Sequence, residues 1–305
     1  MAYGQLLKLK IKQYEAYTNE QKKRVIGETL VKEKIKHSVN LLSQLSRYYD
    51  VKSLKIEREV SDSLLTYEGN AAIQYWHSLS SIFNKLAPEF RFTDRNGRKH
   101  SWNMNASDEI NALLNYGYAI LETEVRKDLN AIGLDLSIGF LHELKDGRSS
   151  LVYDAQELYR WLIDLSVIQL LEEKKLKKSD FIVTENYSIR LRETTAKALI
   201  EKIRLNFNAE VLYNGKYHSY QNILYENVRL LANYLIGKAN ILRFSIPEFR
   251  IDREDNVELR NQILNMTPEE RKNLNIRRNT LWYMKKNIKE GKRIKVYSKV
   301  MDKIN

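Results

Sequence analysis

Proline occurs only three times in this chain of 305 residues, and glycine only eleven times. These are the residues that most readily break or cap a helix, so long stretches run without interruption. That scarcity favours long helices over a turn-rich β fold. Hydrophobic residues make up 43% of the chain, enough for a sizeable core, and the length allows one large domain or two modest ones.

The apolar pattern agrees. Val25, Ile26, Leu30, Val31, Ile35, Val39, Leu42 and Leu45 recur at helical spacing and predict one helix over 20–49. A second helix fits 69–86, ended by Pro88. The stretch 91–102 reads as an irregular basic loop. Ser107, Asp108 and Glu109 mark the start of a helix that Gly133 closes. Further helices are expected over 154–173, 189–207 and 219–236, with an Asn-Gly turn in LYNGKYHS between the last two. The fold class is therefore mainly α.

Charge is unevenly placed. The chain carries +12, and residues 267–305 hold twelve basic against four acidic side chains, so +8 of that total lies in the tail. Within it, Thr267-Pro268-Glu269-Glu270 is a capping box with proline at the first helical position. A short helix, a turn at 275–277 and a second helix would follow. Leu281 and Ile288 would face inward, and Arg278, Lys285 and Lys289 outward. This pattern describes a DNA-binding helix-turn-helix, with a solvated helical hairpin packing on its own domain as the alternative. Arg277, Arg278, Lys285, Lys286 and Lys289 are the candidate contacts. The expected division is a helical domain over 1–250 and a basic extension over 251–305. An anionic partner, nucleic acid first, suits the charge, as does a generic basic surface.

The absence of cysteine excludes disulfides, thiolate zinc sites and a cysteine nucleophile. Neither a signal peptide nor a run of about 18 apolar residues is present, so a cytoplasmic protein with no membrane partner is expected. Four residues suggest chemistry. Asp154 and Glu157, at i and i+3, would share a helix face and could point at one ion, or simply form an acidic first helix turn. His142 precedes them across a Gly-Arg turn and reads as a ligand or a satisfied core histidine. Glu68, before Gly69 and a run of small residues, reads as a ligand or a helix-start acid. His37, His77, His100 and His218 offer less, and His77 is expected in the core. One imidazole with two or three carboxylates would suit Mn²⁺ or Mg²⁺ better than a structural zinc.

In this order, KIKQYEAY (10–17), KEKIKHSVNLL (32–42), YEGNAAIQYW (67–76), NALLNYGYAIL (111–121) and GFLHELKDGRSSLVYDAQELYR (139–160) resemble the CRISPR adaptation integrase family, CRISPR-associated protein 1, in an archaeal-type version. The resemblance covers about residues 8–250. It implies a helical catalytic domain with Glu68, His142 and Glu157 as Mg²⁺ or Mn²⁺ ligands and Asp154 as the accompanying acid. It implies strand transfer, in which a free 3′-hydroxyl of a short DNA attacks a phosphodiester at a CRISPR leader–repeat junction, together with metal-dependent nuclease activity. Arg148 and Arg160 become phosphate contacts or surface ion pairs. Implied partners are DNA, CRISPR-associated protein 2 and a second copy of the chain. Family members begin with a β-rich domain before the KxxQYEAY segment, so the dimer-building domain is expected to be missing here. The basic extension is similar to that of casposon transposases, relatives that integrate a mobile element. A non-catalytic DNA-binding remnant is the third reading.

Overall fold

A computed structural model describes residues 3–46, 48, 49, 51, 64–95, 106–173, 176–249, 251 and 257–290. Two compact units form, Met1–Leu41 with Leu54–Glu248, and Leu42–Ser53 with Phe249–Asn305. Helices dominate both. His100 and most of the loop expected over 91–102 lie outside the described residues.

The larger unit holds α1 (Tyr3–Thr18), α2 (Glu20–Leu45) up to Leu41, and α3 (Leu64–Leu86); α2 ends four residues short of the expected 49, and α3 starts five residues before the expected point. The centre is α4 (Glu109–Ile132). Asp108 caps it by accepting a hydrogen bond from the Asn111 backbone N–H at 2.8 Å, and Gly133 closes it. More than half of its residues are buried, because α5 (Ser150–Glu157), α6 (Arg160–Glu172), α7 (Glu193–Phe207) and α8 (Tyr220–Leu235) all pack against it. Helix α6 is buried from Trp161 to Ile168 on every side, so apolar residues ring it and its polar Asp164 and Ser166 are buried with them.

The single helix expected over 154–173 is two. It begins at Ser150 and breaks at Leu158–Tyr159, where Leu158, Tyr159 and Leu162 N–H groups each donate to the carbonyl three residues back. The tighter pattern changes the direction of the chain without glycine or proline. The helix expected over 189–207 also needs correction. Its first three residues are β2 (Ile189–Leu191), paired antiparallel with β1 (Phe181–Val183). A second hairpin joins β3 (Glu210–Tyr213) to β4 (Lys216–Ser219) through Asn214 and Gly215, both at positive φ, as a two-residue primed turn requires.

The smaller unit contains α9 (Val257–Asn265), α10 (Pro268–Asn273) and α11 (Arg278–Lys289). Its own core is Ile263, Met266, Ile276, Leu281, Met284 and Ile288. The Thr267–Glu270 capping box forms as read, and Asn275 turns the chain at φ 53°. Among the described residues, no helix is long and apolar enough to cross a membrane.

Candidate functional site

The site begins with a loop that two buried polar side chains hold in place. Gln13, on α1, is buried. Its amide donates to the Asp135 and Ile138 carbonyls at 2.8 and 2.9 Å and accepts from the Asp135 N–H at 2.8 Å. Asp154, on α5, takes the other end of the loop. Its Oδ2 accepts from the Phe140 and Leu141 N–H groups, and its Oδ1 from the His142 N–H at 2.9 Å. Gly139 lets this happen, since a Cβ there would lie 2.8 Å from Asp154 Oδ2 and 2.8 Å from the Ser150 backbone.

Asp154 Oδ1 also lies 2.7 Å from His142 Nδ1. An ionised carboxylate only accepts, so Nδ1 carries a proton, and Nε2 is the ring nitrogen that the neutral tautomer leaves to act as a ligand. Asp154 is therefore turned toward the loop. It does not share a cavity with Glu157, although the two are one helical turn apart.

Glu68, His142 and Glu157 do share one. A cavity of about 660 Å³ is lined by all three, with Lys34, Tyr75, Trp76, Arg95, Tyr118, Arg160 and Asp164 among its other walls. The three come from α3, the loop after α4, and α5. Glu157 is buried. Burial alone would raise its carboxyl; the neighbouring Arg160 and Lys34 cations outweigh that and hold it down at about 2. Arg160 Nη1 donates to Glu157 Oε1 at 2.6 Å, while its guanidinium lies over the Tyr118 ring at 4.2 Å. Lys34, from α2, contacts Glu68 and lies 2.6 Å from Glu157 Oε2. That oxygen is buried, and among the described residues the ammonium is its one polar partner.

One imidazole nitrogen and two carboxylates, one with an oxygen that only the ammonium meets among the described residues, fit a hard divalent ion in donor type. As the side chains stand, no three acidic or histidine groups among the described residues form a ready-made metal cluster. Lys34 occupies the space between two of them.

Several site residues escaped sequence reasoning. Lys34 reads as one more lysine on a helix face. Arg95 is held by the Asn111 and Asn115 side-chain oxygens at 2.8 and 2.7 Å, 5.1 Å from the centre of the Tyr118 ring. Asp164 is buried and accepts from Tyr75 and Tyr118 hydroxyls at 2.6 and 2.5 Å; burial raises its carboxyl. His77, expected in the core, is exposed at the cavity rim, whereas His37 is buried and stacks on Trp161 at 5.4 Å. Arg148 lies over Tyr153, outside the cavity.

In the smaller unit Arg277, Arg278, Lys286 and Lys289 are exposed as expected. Lys285 is not; its ammonium donates to the Met266 carbonyl at 3.0 Å, where positive charge suits the end of α9. Trp282 and Tyr283 are exposed beside the basic side chains.

The family described as CRISPR associated protein Cas1 matches residues 3–204. A CRISPR-associated endonuclease Cas1 of Archaeoglobus fulgidus is 32% identical over 181 residues, covering 59% of this chain and 51% of that one. One from Francisella tularensis subsp. novicida is 34% identical over 205 residues, covering 67% and 58%. The chain thus spans about half the length of these curated relatives. Among solved structures, a casposase bound to integration product superposes with a TM-score of 0.74 at 35% identity, over 81% of this chain and 73% of that one. A Cas1 protein from Thermotoga maritima shares the fold, with a TM-score of 0.63 at 23% identity over 75% and 71%. With the match covering most of the chain, this protein belongs to the CRISPR associated protein Cas1 family.

Proposed function

We propose that this chain is a divalent-metal-dependent DNA integrase and endonuclease that joins the 3′-hydroxyl end of a short DNA to a phosphodiester of target DNA. The observation that carries the reading is the meeting of Glu68, His142 and Glu157, drawn from three distant segments, on one cavity. These three would hold Mg²⁺ or Mn²⁺. Bound there, such an ion would polarise the phosphodiester and favour the ionised hydroxyl.

The chain's own groups supply the rest. Asp154 fixes the His142 ring and its tautomer, as carboxylates behind metal-binding histidines do. Arg160 keeps Glu157 ionised and oriented. Arg95 presents positive charge on the cavity wall, where phosphate oxygens would sit, and Trp76 and Tyr118 offer faces against which a sugar or base can pack. In the reaction the attacking 3′-oxygen forms a new P–O bond as the target's P–O bond to its own 3′-oxygen breaks. The proton lost by the first hydroxyl matches the one gained by the second. One diester replaces another, so no nucleotide cofactor is required.

A second reading has specific support. The casposase with 35% identity aligns over most of both chains, and its solved complex holds integration product. The target would then be the insertion site of a mobile element rather than a CRISPR array. For the array reading, the expected partner is CRISPR-associated protein 2.

The test incubates the chain with Mn²⁺, a labelled 3′-hydroxyl oligonucleotide and supercoiled plasmid. Joined product from the wild type, lost in Glu157→Gln and His142→Ala, is the expected result. Salt-dependent DNA binding with no cutting or joining, under Mg²⁺ or Mn²⁺, would replace this reading with that of a DNA-binding remnant.

A further inference from the structure

The ammonium of Lys34 stands between the Glu68 and Glu157 carboxylates, in contact with the first and 2.6 Å from Oε2 of the second. One side chain of α2 thereby ties together α3 and α5. With Arg160 on the other oxygen of Glu157, the two negative charges of this corner meet two positive ones. A buried and a half-buried carboxylate brought together without a cation would repel.

We propose that Lys34 is a built-in counter-ion of the metal site, one that competes with the divalent ion for the same two carboxylates. The inference rests on the reading that Glu68, His142 and Glu157 hold the metal. Three features support competition rather than a simple structural ion pair. Oε2 of Glu157 meets the Lys34 ammonium at 2.6 Å and no other hydrogen-bond partner among the described residues, so a dication that takes this oxygen has a single cation to displace. Glu157 keeps Arg160 when Lys34 leaves, so withdrawal does not strand a buried charge. Lysine carries a compact charge on a flexible four-carbon stem and can swing aside without moving α2. A dication bound between the carboxylates would repel an ammonium a few ångströms away. Metal therefore loads as Lys34 withdraws, and the site is never left as two bare carboxylates. The withdrawn ammonium stays tethered to α2 at the cavity wall, where its charge suits an incoming phosphate.

The experiment titrates Mn²⁺ into the full chain and follows free Mn²⁺ by electron paramagnetic resonance, with thermal melts of the metal-free proteins alongside. Wild type, Lys34→Met, Lys34→Gln and Glu157→Gln are compared. Both Lys34 variants should bind Mn²⁺ about tenfold more tightly, equivalent to about 1.4 kcal/mol. They should also melt lower without metal and recover when Mn²⁺ is added. Lys34→Gln keeps donors for both carboxylates without the charge, so it serves if Lys34→Met fails to fold. Unchanged or weaker Mn²⁺ binding in folded Lys34 variants overturns the inference. If Glu157→Gln loses affinity in that same experiment, the metal reading survives and only the competition falls. If neither the wild type nor any variant binds Mn²⁺, both fall.

Discussion

His142 Nδ1 lies 2.7 Å from Asp154 Oδ1, and the same carboxylate accepts three backbone N–H groups from residues 140–142. Every lone pair of Asp154 is thus committed to one turn of the loop. An asparagine there must set its NH₂ against at least one backbone N–H in either orientation, and against two if it faces Phe140 and Leu141. Asp154→Asn should destabilise the chain by about 1–3 kcal/mol for each group left unsatisfied. It should also weaken Mn²⁺ binding by about 10–100-fold, although residue 154 never reaches the cavity. Melting curves and metal titration of one preparation check both effects.

Gly139 should be intolerant of any side chain. Its Cβ would meet both Asp154 and the first turn of α5, so Gly139→Ala forces apart the two segments that place His142. A loss of about 1–3 kcal/mol is expected, as for other overpacked sites. Denaturant unfolding measures it, and a wild-type midpoint would show that the loop has slack the geometry denies.

Asp128 gives a pH signature remote from the cavity. Burial lifts its carboxyl from 3.8 to about 6, with Lys127 opposing in part and Glu124 adding to the rise, and its Oδ2 is buried without a partner. A raised acid contributes stability that is complete below pH 3.8 and lost as pH climbs through about 6. Asp128→Asn should therefore melt higher than the wild type at pH 7.5, and the advantage should vanish near pH 4. Parallel melts across that window decide it; a constant difference would rule out titration as the cause.

The basic side chains of α11 divide into two kinds. Arg278 and Lys286 are exposed and suit phosphate contacts, whereas Lys285 is tied to the Met266 carbonyl. Replacing Arg278 and Lys286 by alanine should reduce the slope of log affinity for duplex DNA against log salt by about 0.9 for each phosphate that is no longer neutralised. Lys285→Ala should leave that slope alone and lower the melting temperature instead. The reverse pattern would exchange their roles.

What could be read from sequence follows from how local each feature is. Asp108 and Gly133 bracket α4 because caps are written in neighbouring residues. Thr267 with Glu270, and Asn214 with Gly215, are equally local. The break at Leu158–Tyr159 was not legible, since neither residue is a helix breaker and the kink arises from how α5 and α6 pack on α4. The β1–β2 hairpin hid beside a strong helix pattern, and its turn residue at positive φ is Tyr187, an unusual choice. Glu68, His142 and Glu157 could be proposed from their motifs. Lys34 could not, because its meaning comes from two carboxylates that approach it from 34 and 123 positions away. Arg95 is likewise explained only by Asn111 and Asn115, which face it from α4.

The amide of Gln13 bonds to backbone 122 and 125 residues further along the chain, on the loop that carries His142. Helix α1 is therefore a strut of the body that carries the candidate site rather than a lead-in to it. Anyone dividing this protein into working parts, or grafting another domain onto its front, has to place the seam ahead of that helix. A cut after Thr18 would take away the support of the loop that places His142, so damage would surface at a point far in sequence from the scissors.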